Sequence, residues 1–403
     1  MNTNFLPCIK SPMLEVLMDA MMPIAKRIAG IKNISIYCAP NLDVSDILAS
    51  PALIVSNHPT DMDPILLRTL GSSVRIRFKY LACREGFDGL YGAWGWVAQR
   101  IGAFSIVRGT VDRDSFRYTT NLWVDHSARI VVFPEGEVGA FNDKILPFHD
   151  GIFQLLLLAS EKRVNAGTNP IGIVPVAIRY TLVNDHRQEL LDASRKLCAA
   201  TGAAASHDLI ENLKNLTSIV ITRLEQEYGL HSKSETTTQE RIAALQAAVL
   251  ARIHAATGKP IPDHGDLHDL MRFSANIIED AIDNHLEPET LFDKRLAEQR
   301  RKRALGLQAD IDRLQNWLAI EDGYATADGN QDHAYELIRH FETEVFGDVK
   351  TRIARQATVR VGARIEMSDI DGFAALAIRQ QIRTLRQLAA NAVSDCLAQS
   401  HPG

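Results

Sequence analysis

The sequence predicts an α/β fold: a mixed sheet flanked by helices, with a large all-α insertion before the last strand. Over the first 184 residues, short apolar runs alternate with helical periods, as in a sheet that is at least partly parallel. From 185 to about 350 only helical periods appear. β character then returns once, at 357–362, where a lone strand would be an unpaired edge unless it rejoined the first sheet.

These observations divide the chain into three segments. Residues 1–184 would form a core that begins with an amphipathic helix, and 185–350 would form an inserted helical domain. Residues 351–403 would supply the last strand and a C-terminal helix that complete the core.

Composition excludes several classes of protein. The 403 residues are 46% hydrophobic and 23% charged with a net charge of −5, so we expect two domains and no dedicated nucleic-acid binder. Five scattered cysteines without a Cys-x-x-Cys pair favour a reducing compartment and no structural zinc. No run reaches the roughly 18 apolar residues of a spanning helix, and no signal peptide is evident, so we expect a soluble or peripheral protein.

The N-terminal segment carries apolar residues at helical spacing from Met13 to Ala25, with charged residues between them. Our expectation is a helix packed on the protein's own core. The alternative is a helix that lies in a membrane interface. Pro23 would kink either version.

The remaining elements follow from period and turn residues. Strands are predicted at 34–37, 52–55, 74–81, 102–107, 130–133, 171–178 and 357–362. Helices are predicted at 65–70, 115–125, 148–159 and about 373–397, besides several between 185 and 350.

A polar run follows the strand at 52–55 and contains His58 and Asp63. Residues five apart do not share a face of a regular helix, so the two can meet only if the chain turns, as Pro59 and Pro64 favour. Such a pair could be a general base and the carboxylate that orients it. Asp61 is a rival partner, Asp63 could instead cap the next helix, and a histidine at a strand end can be purely structural.

Three later stretches could belong to the same site. Gly102 to Arg108 is an apolar strand ending in an arginine, which could hold a phosphate or be a surface residue. Glu135 and Gly136 follow another strand, where a tight loop could offer a carboxylate and close backbone approach, or be an ordinary turn. Pro175 lies inside an apolar strand, which implies a sheet edge or a bulge that could shape a pocket wall.

Together these stretches resemble the glycerolipid acyltransferase family, which includes the lysophosphatidic acid acyltransferases. The family's four motifs are matched by Asn57-His58 with Asp63, by Gly102 to Arg108, by Phe133-Pro134-Glu135-Gly136 and by Val174-Pro175-Val176. The resemblance covers about 50–180, is weaker for 359–365 and the last helix, and is absent from 185–350. It implies a glycerolipid acyltransferase-like α/β fold.

The resemblance also implies an activity: transfer of a fatty acyl chain from acyl-CoA or acyl-carrier protein to a hydroxyl of a lysophospholipid or glycerol-phosphate-like acceptor. His58 would deprotonate the hydroxyl and Asp63 would orient His58. The substrate-binding residues would be Asn57, Gly102, Arg108, Glu135, Gly136 and Pro175. The resemblance implies no metal and no cofactor beyond the thioester co-substrate, and it implies contact with the cytoplasmic face of a membrane.

The third motif departs from the family pattern. Glu137-Val138-Gly139 stands where the family has Thr-Arg-Ser, so a cation that would neutralise an acceptor phosphate is missing. Arg108 remains, and Arg84 or Lys79 could compensate. The alternatives are therefore a phosphate-free alcohol or amine acceptor, or a catalytically reduced protein that binds lipid or acyl-carrier protein.

Three further features are open to two interpretations. Asp263 to Asp269 resembles a metal cluster, but capping of a helix by Asp266 is favoured. The basic run 300–303 is a solvated helical face, or it attracts anionic headgroups or an acidic carrier protein. Trp94 and Trp96 are core residues or an interfacial aromatic patch.

Overall fold

The protein is represented by a computed structural model, which describes residues 5–88, 92–107, 112–136, 138, 142–231, 235–257, 290–296, 298–299, 302–303, 306–307, 310, 313 and 330–399. The chain divides into two compact units. One consists of Met1–Val183 with Ala354–Gly403, and the other is Asn184–Ile353.

The first unit contains a seven-stranded mixed sheet in the order β1-β7-β6-β2-β5-β3-β4. Its strands are β1 (Ile31–Cys38), β2 (Ala52–Ser56), β3 (Lys79–Cys83), β4 (Ala103–Ile106), β5 (Arg129–Val132), β6 (Gly172–Leu182) and β7 (Arg355–Val361). Strands β2 to β6 run parallel to their neighbours among themselves, whereas β7 is antiparallel to β6 and parallel to β1. The strand predicted after the insertion therefore does rejoin the first sheet, and the fold class is confirmed.

Helices of the first unit are α1 (Pro12–Ile28), α2 (Val44–Ile47), α3 (Asp63–Ser73), α4 (Ala93–Arg100), α5 (Arg113–Val124), α6 (Asp150–Asn165) and, at the C-terminus, α11 (Ile378–Ala398). The second unit includes α7 (Arg187–Thr201), α8 (Leu209–Tyr228), α9 (Thr238–Thr257) and α10 (Gln331–Phe346), and further helical residues are described between 291 and 313. The described residues of the second unit hold no strand. Asp263 to Asp269 and Arg300-Arg301 lie outside the described residues.

The sheet buries both of its faces, which explains why its central strands read as continuous apolar runs. Along β2, Leu53 and Val55 pack into a core with residues of α5, α6 and α11, while Ala52 and Ile54 pack into a second core with residues of α3. Trp123 is fully buried in the first core and donates its indole N–H to the carbonyl of Ala52 at 3.2 Å. Each large side chain buried in this way contributes roughly 1.5–3 kcal/mol.

Two predicted boundaries are wrong. The strand predicted at 74–81 begins only at Lys79, because Arg75 has a positive φ of 56° and the chain first closes a turn from Ile76 N–H to the Gly71 carbonyl at 2.8 Å. The last helix begins at Ile378, since the preceding Phe373–Ala375 forms a separate 3₁₀ turn.

The expectation for α1 is met only in part. Met22 is buried, but five other apolar residues form an outward stripe whose members are 42% to 84% exposed, namely Met13, Leu17, Met21, Ile24 and Ile28. The side of α1 that faces α3 also carries acidic groups: Asp19 pairs with Arg68 of α3 at 2.7 Å, and Arg68 donates to the carbonyl of Glu15 at 2.8 Å. We call these five apolar residues the α1 stripe.

Candidate active site

The predicted motifs converge on one edge of the sheet. Strands β2 and β5 are parallel neighbours, so the segments that follow them, 57–63 and 133–136, leave the sheet side by side. Strands β3 and β4 end at Cys83 and Ile106 on the same edge. In open α/β sheets this carboxyl edge is where ligands bind.

His58 and Asp63 are in direct contact across the predicted turn. The imidazole Nδ1 lies 2.7 Å from Asp63 Oδ2, and the turn is closed by the Asp63 N–H, which donates to the Thr60 carbonyl at 3.1 Å. Asp63 is fully buried, whereas the His58 side chain keeps 16% of its surface exposed. Asp61, the rival partner, is exposed.

The carboxylate also fixes the tautomer of His58. A carboxylate can only accept hydrogen bonds, so Nδ1 carries the proton and Nε2 carries the lone pair. Asp63 is the first residue of α3 and does not cap the helix through its side chain. Its oxygens instead accept from groups that lie outside α3.

Four donors surround the Asp63 carboxylate, which fills its acceptor sites. Oδ1 accepts from the Tyr180 hydroxyl at 2.6 Å and from the Thr60 hydroxyl at 2.9 Å. Oδ2 accepts from His58 and from the Thr60 backbone N–H at 2.9 Å. Burial, and then the charge of Asp63, raise the pKa of Tyr180 well above its usual range, so the phenol stays protonated and remains a donor.

Phe133 fixes the imidazole plane. Its ring stacks on that of His58, with centroids 3.9 Å apart and planes inclined by 17°. Because Phe133 directly follows β5, the pairing of β5 with β2 brings the two rings together. The imidazole is thereby held by Asp63 at Nδ1 and by Phe133 on one face.

Two asparagine side chains hydrogen-bond the backbone of β6 beyond the point where β2 ends. Strand β2 ends opposite Val176, and beyond that point the Asn57 amide exchanges two 2.8 Å hydrogen bonds with the backbone of Ile178. Asn142 does the same for Tyr180, accepting its N–H at 2.6 Å and donating to its carbonyl. Asn57, predicted to bind substrate, is buried with its amide engaged by Ile178.

Glu135 lies in a tight turn closed by the Gly136 N–H, which donates to the Phe133 carbonyl at 3.0 Å. Gly136 has a φ of 79°, which favours glycine. The Glu135 side chain is buried, and its Oε1 has no hydrogen-bond partner among the described residues. Burial raises the pKa of Glu135 well above its usual range, and the charge of Asp63 adds to the effect, although backbone N–H groups of Leu146 and His58 oppose it. Burial therefore favours the neutral form of Glu135, which can donate a hydrogen bond as well as accept one.

Gly102 has a conformational requirement of its own. Its φ is 103°, and a Cβ at this position would lie 2.8 Å from the carbonyl oxygen of Phe78. Arg108, predicted to hold a phosphate, lies outside the described residues, as does Glu137.

Pro175 is not at a sheet edge, because β6 lies between β7 and β2. The alternative, a bulge, is present. Ile173 pairs with Ile365, and Val176 pairs with Val361. Between these two pairs, β6 has two residues and the chain that follows β7 has three. The missing N–H of proline is tolerated there because the β6–β7 ladder has ended.

The two suggested substitutes for the missing cation differ in position. Arg84 directly follows β3 at the carboxyl edge, where it pairs with Asp88 at 2.8 Å. Lys79 is the first residue of β3 and lies at the opposite end, about 13 Å away along the strand. Lys79 therefore cannot serve the site.

Thr60, Asn142 and Tyr180 belong to the site, although none of them was predicted from the sequence. A usable signal existed for Tyr180, since a tyrosine in a buried apolar strand needs a partner for its hydroxyl. Thr60 lies between the two predicted residues and could have been considered as a turn residue that bonds its neighbours.

Comparison with known proteins assigns part of the chain to a family. Residues 37–179 match the model of the family described as Acyltransferase. A search of curated proteins gave no significant match. The matched segment begins in β1, ends in β6 and contains all four motifs. This match over 37–179 confirms the resemblance on which the four motifs were identified, and it supports a general acyltransferase activity.

Proposed function

We propose that the protein transfers a fatty acyl chain from acyl-CoA or acyl-carrier protein to a hydroxyl of a lysophospholipid or glycerol-phosphate-like acceptor, with His58 as general base. The observation that carries the proposal is the 2.7 Å contact between His58 Nδ1 and the buried Asp63 carboxylate. That contact leaves Nε2 with the lone pair on a partly exposed ring, ready to take a proton.

The scheme needs four changes of bonding. Nε2 of His58 takes the acceptor's hydroxyl proton while that oxygen attacks the thioester carbonyl, and the C–S bond then breaks. The imidazolium returns its proton to the departing thiolate. Asp63 stabilises the imidazolium in between, a contribution of the order of 10²- to 10⁴-fold in rate for such base catalysis. Because a thioester is already activated, this scheme calls for no metal or cofactor besides the thioester itself.

Glu135 would bind the acceptor as a neutral acid. Its raised pKa and its unpartnered Oε1 support donation of a hydrogen bond to an acceptor oxygen. A neutral carboxyl group also does not repel a phosphate, as an ionised one would. We assign Gly102, Gly136 and Pro175 to the shape of the same site, and Asn57 to its backbone support.

Contact with a membrane is proposed for the α1 stripe. The stripe is outward and apolar, while Lys26 and Arg27 lie in the last turn of α1, a combination typical of interfacial helices. Trp94 and Trp96 of α4 are about half exposed, and Arg100 lies 3.9 Å above the ring of Trp96. Among the described residues, no helix combines the length and the apolar character needed to cross a membrane.

Localisation and domain organisation are proposed on the same basis. All five cysteines lie within the described residues and none is in a disulfide, in agreement with a reducing, cytoplasmic location at the membrane face. We propose that 351–403 completes the acyltransferase core, since β7 lies between β1 and β6, and that 185–350 is an inserted domain.

The test is consumption of acyl-CoA and of acyl-carrier protein thioesters with a panel of acceptors, for the wild type and for His58→Ala. We expect the wild type to acylate at least one lipid-like acceptor and the variant to lose roughly 99% of the rate or more, the factor that positioned base catalysis supplies. A folded His58→Ala protein with full activity would show that the assigned base is wrong. Lipid binding without any transfer would favour the catalytically reduced alternative.

One observation favours a second candidate, an acyltransferase for a phosphate-free alcohol or amine. Arg84 is already paired with Asp88, and Lys79 lies at the far end of its strand, so neither replaces the arginine missing from the third motif. Acceptor pairs that differ only in a phosphate would separate the two candidates. The first predicts a preference for the phosphorylated member, which Arg108→Ala should reduce, and the second predicts the reverse.

A further inference from the structure

We propose that Tyr180 and Arg355 are positioning residues for His58 and Asp63: Tyr180 holds the Asp63 carboxylate, and Arg355 holds Tyr180. The inference rests on the proposed function, in which Asp63 orients the base. It adds two residues that none of the four motifs contains and that lie 117 positions or more from Asp63 in the chain.

Tyr180 acts on the carboxylate oxygen that His58 does not use. Its hydroxyl lies 2.6 Å from Asp63 Oδ1, while His58 occupies Oδ2 at 2.7 Å. Each donor on Oδ1 draws negative charge away from Oδ2, so the strength of the Tyr180 bond sets how much charge faces the imidazole. Thr60 lies in the turn between His58 and Asp63 and donates to both carboxylate oxygens. Tyr180 instead donates to Oδ1 from strand β6.

Arg355 lies over the Tyr180 ring. Its guanidinium carbon is 4.4 Å from the ring centroid, a cation–π contact that fixes the ring and makes its hydroxyl a stronger donor. The β6–β7 register places the two as diagonal neighbours, because Tyr180 pairs with Ala357 and Leu182 with Arg355. The Arg355 N–H also donates to the Gly30 carbonyl at 2.8 Å, which anchors this end of β7.

The fold does not need the hydroxyl to hold Tyr180 in place. Its backbone is bonded on both polar groups by Asn142, and its ring is buried in the core beneath the sheet. A phenylalanine would fill the same space. The hydroxyl therefore serves Asp63, and it does so from the strand that leads into the helical unit, while Arg355 comes from the strand that leads out of it.

The test compares Tyr180→Phe with Tyr118→Phe in the full-length protein. Both changes remove one tyrosine hydroxyl from the same unit, but the Tyr118 hydroxyl contacts Cys8 Sγ at 2.8 Å. We expect Tyr180→Phe to lower kcat about three- to tenfold with the acceptor KM unchanged, because the Asp63 carboxylate loses one of the hydrogen bonds that fix its orientation toward His58. Tyr118→Phe should leave both constants within about twofold of the wild type.

The pH profile provides a readout that a packing role would not move. Among the residues that the structure describes, the titratable and charged groups that bear on the pair include Glu135, Tyr180 and Arg355. Without the hydroxyl, the unprotonated His58–Asp63 pair loses a donor that stabilises its negative charge. The acid limb of kcat/KM should therefore shift upward by about half to one pH unit in Tyr180→Phe. Arg355→Gln should shift it in the same direction, and Arg355→Lys, which keeps the cation, should restore it.

A measurement without substrate separates this proposal from the proposed function. The Nδ1–H proton resonance of His58 should move downfield in Tyr180→Phe and stay in place in Tyr118→Phe, because less of the Asp63 charge is drawn to Oδ1. An unchanged resonance and pH profile in Tyr180→Phe would overturn the positioning role, while loss of activity in His58→Ala would leave the proposed base intact. Full activity of His58→Ala would show that His58 is not the general base. The Nδ1–H resonance of His58 would then be the one test of whether Tyr180 positions Asp63.

Discussion

Replacement of Asp63 by asparagine tests the paired base most directly. The change removes one negative charge and almost no volume. Of the two amide orientations, the one with its oxygen toward His58 and the Thr60 N–H keeps both bonds on that side. The amide nitrogen then faces the hydroxyls of Tyr180 and Thr60, which can rotate to accept. We therefore expect Asp63→Asn to fold, with a loss in the free energy of unfolding of no more than about 2 kcal/mol.

The loss of rate follows from the charge. At roughly 4 Å between charge centres and an effective dielectric constant of about 20, the Asp63 carboxylate stabilises an imidazolium at His58 by about 4 kcal/mol. The histidine tautomer is retained in the asparagine variant, so this Coulomb energy is the main quantity lost. A loss of about 4 kcal/mol in the transition state corresponds to a rate reduced about 10³-fold.

The assay is steady-state release of thiol from the acyl thioester at saturating acceptor, alongside denaturant unfolding of each protein. Asp61→Asn is the matched control. It removes the same charge from a side chain that is exposed and lies two positions before Asp63 in the sequence. Its rate should remain within about threefold of the wild type. A folded Asp63→Asn protein that keeps more than about a tenth of the activity would show that the Asp63 charge is not what stabilises the imidazolium, and so would an equal loss in Asp61→Asn.

Three further predictions concern stability and the membrane. Asn57→Ala should lower the free energy of unfolding by about 2–4 kcal/mol in urea, because it leaves both backbone groups of Ile178 unpaired; a loss below about 0.5 kcal/mol would contradict this. Burial raises the pKa of Glu135, so the contribution of its carboxyl group to the free energy of unfolding is complete below the ordinary glutamate pKa of 4.5 and is lost as pH rises through the raised pKa. Relative to the wild type, Glu135→Gln should therefore gain unfolding free energy as pH rises above 4.5, and a constant difference would contradict the raised pKa. Leu17→Glu with Ile24→Glu should reduce co-sedimentation with anionic phospholipid vesicles by about tenfold or more without loss of stability, since both side chains are exposed, and unchanged binding would exclude the α1 stripe.

The parts of the fold that could be predicted depend on local chemistry. Strand β2 and helix α3 follow from an apolar run, a turn and a proline that are close together in the chain. The parallel sheet follows from alternation of strands with helices. Since the motifs follow strand ends, their convergence on one edge follows from the parallel arrangement as well. What periodicity does not give is strand order, and β5 beside β2 is what brings Phe133 against His58.

The orientation of α1 shows where pattern alone fails. Helical periodicity identifies the apolar positions of α1, but it does not say which of them the rest of the protein will cover. The answer depends on Arg68 and Arg77, which lie roughly 50 to 60 residues further on and pair with Asp19 and Glu15. Ion pairs at that separation leave no trace in the local sequence pattern of either segment.

Pro175 and Tyr180 show the same limit inside the sheet. A proline inside an apolar strand indicates a sheet edge or a bulge, but only the pairing of the chain at 361–365 with β6 decides between the two. Tyr180 is equally dependent on distant residues, because Asn142 fixes its backbone and Asp63 gives its hydroxyl a partner. These contacts join segments separated by 38 and 117 residues, and a single sequence carries no record of them.

The charge of the site follows from which carboxyl groups are ionised. Asp63 accepts hydrogen bonds from His58 and from three further donors, and burial raises the pKa of Glu135, which favours its neutral form. With Glu135 neutral, the two acids Asp63 and Glu135 present one hydrogen-bonded negative charge at this edge. An acceptor phosphate would meet less repulsion than the sequence suggests, so the loss of the third-motif arginine removes attraction without leaving a strongly negative site. For this reason the phosphorylated acceptor stays the leading proposal, and the effect of Arg108 on phosphorylated against neutral acceptors is the measurement that decides it.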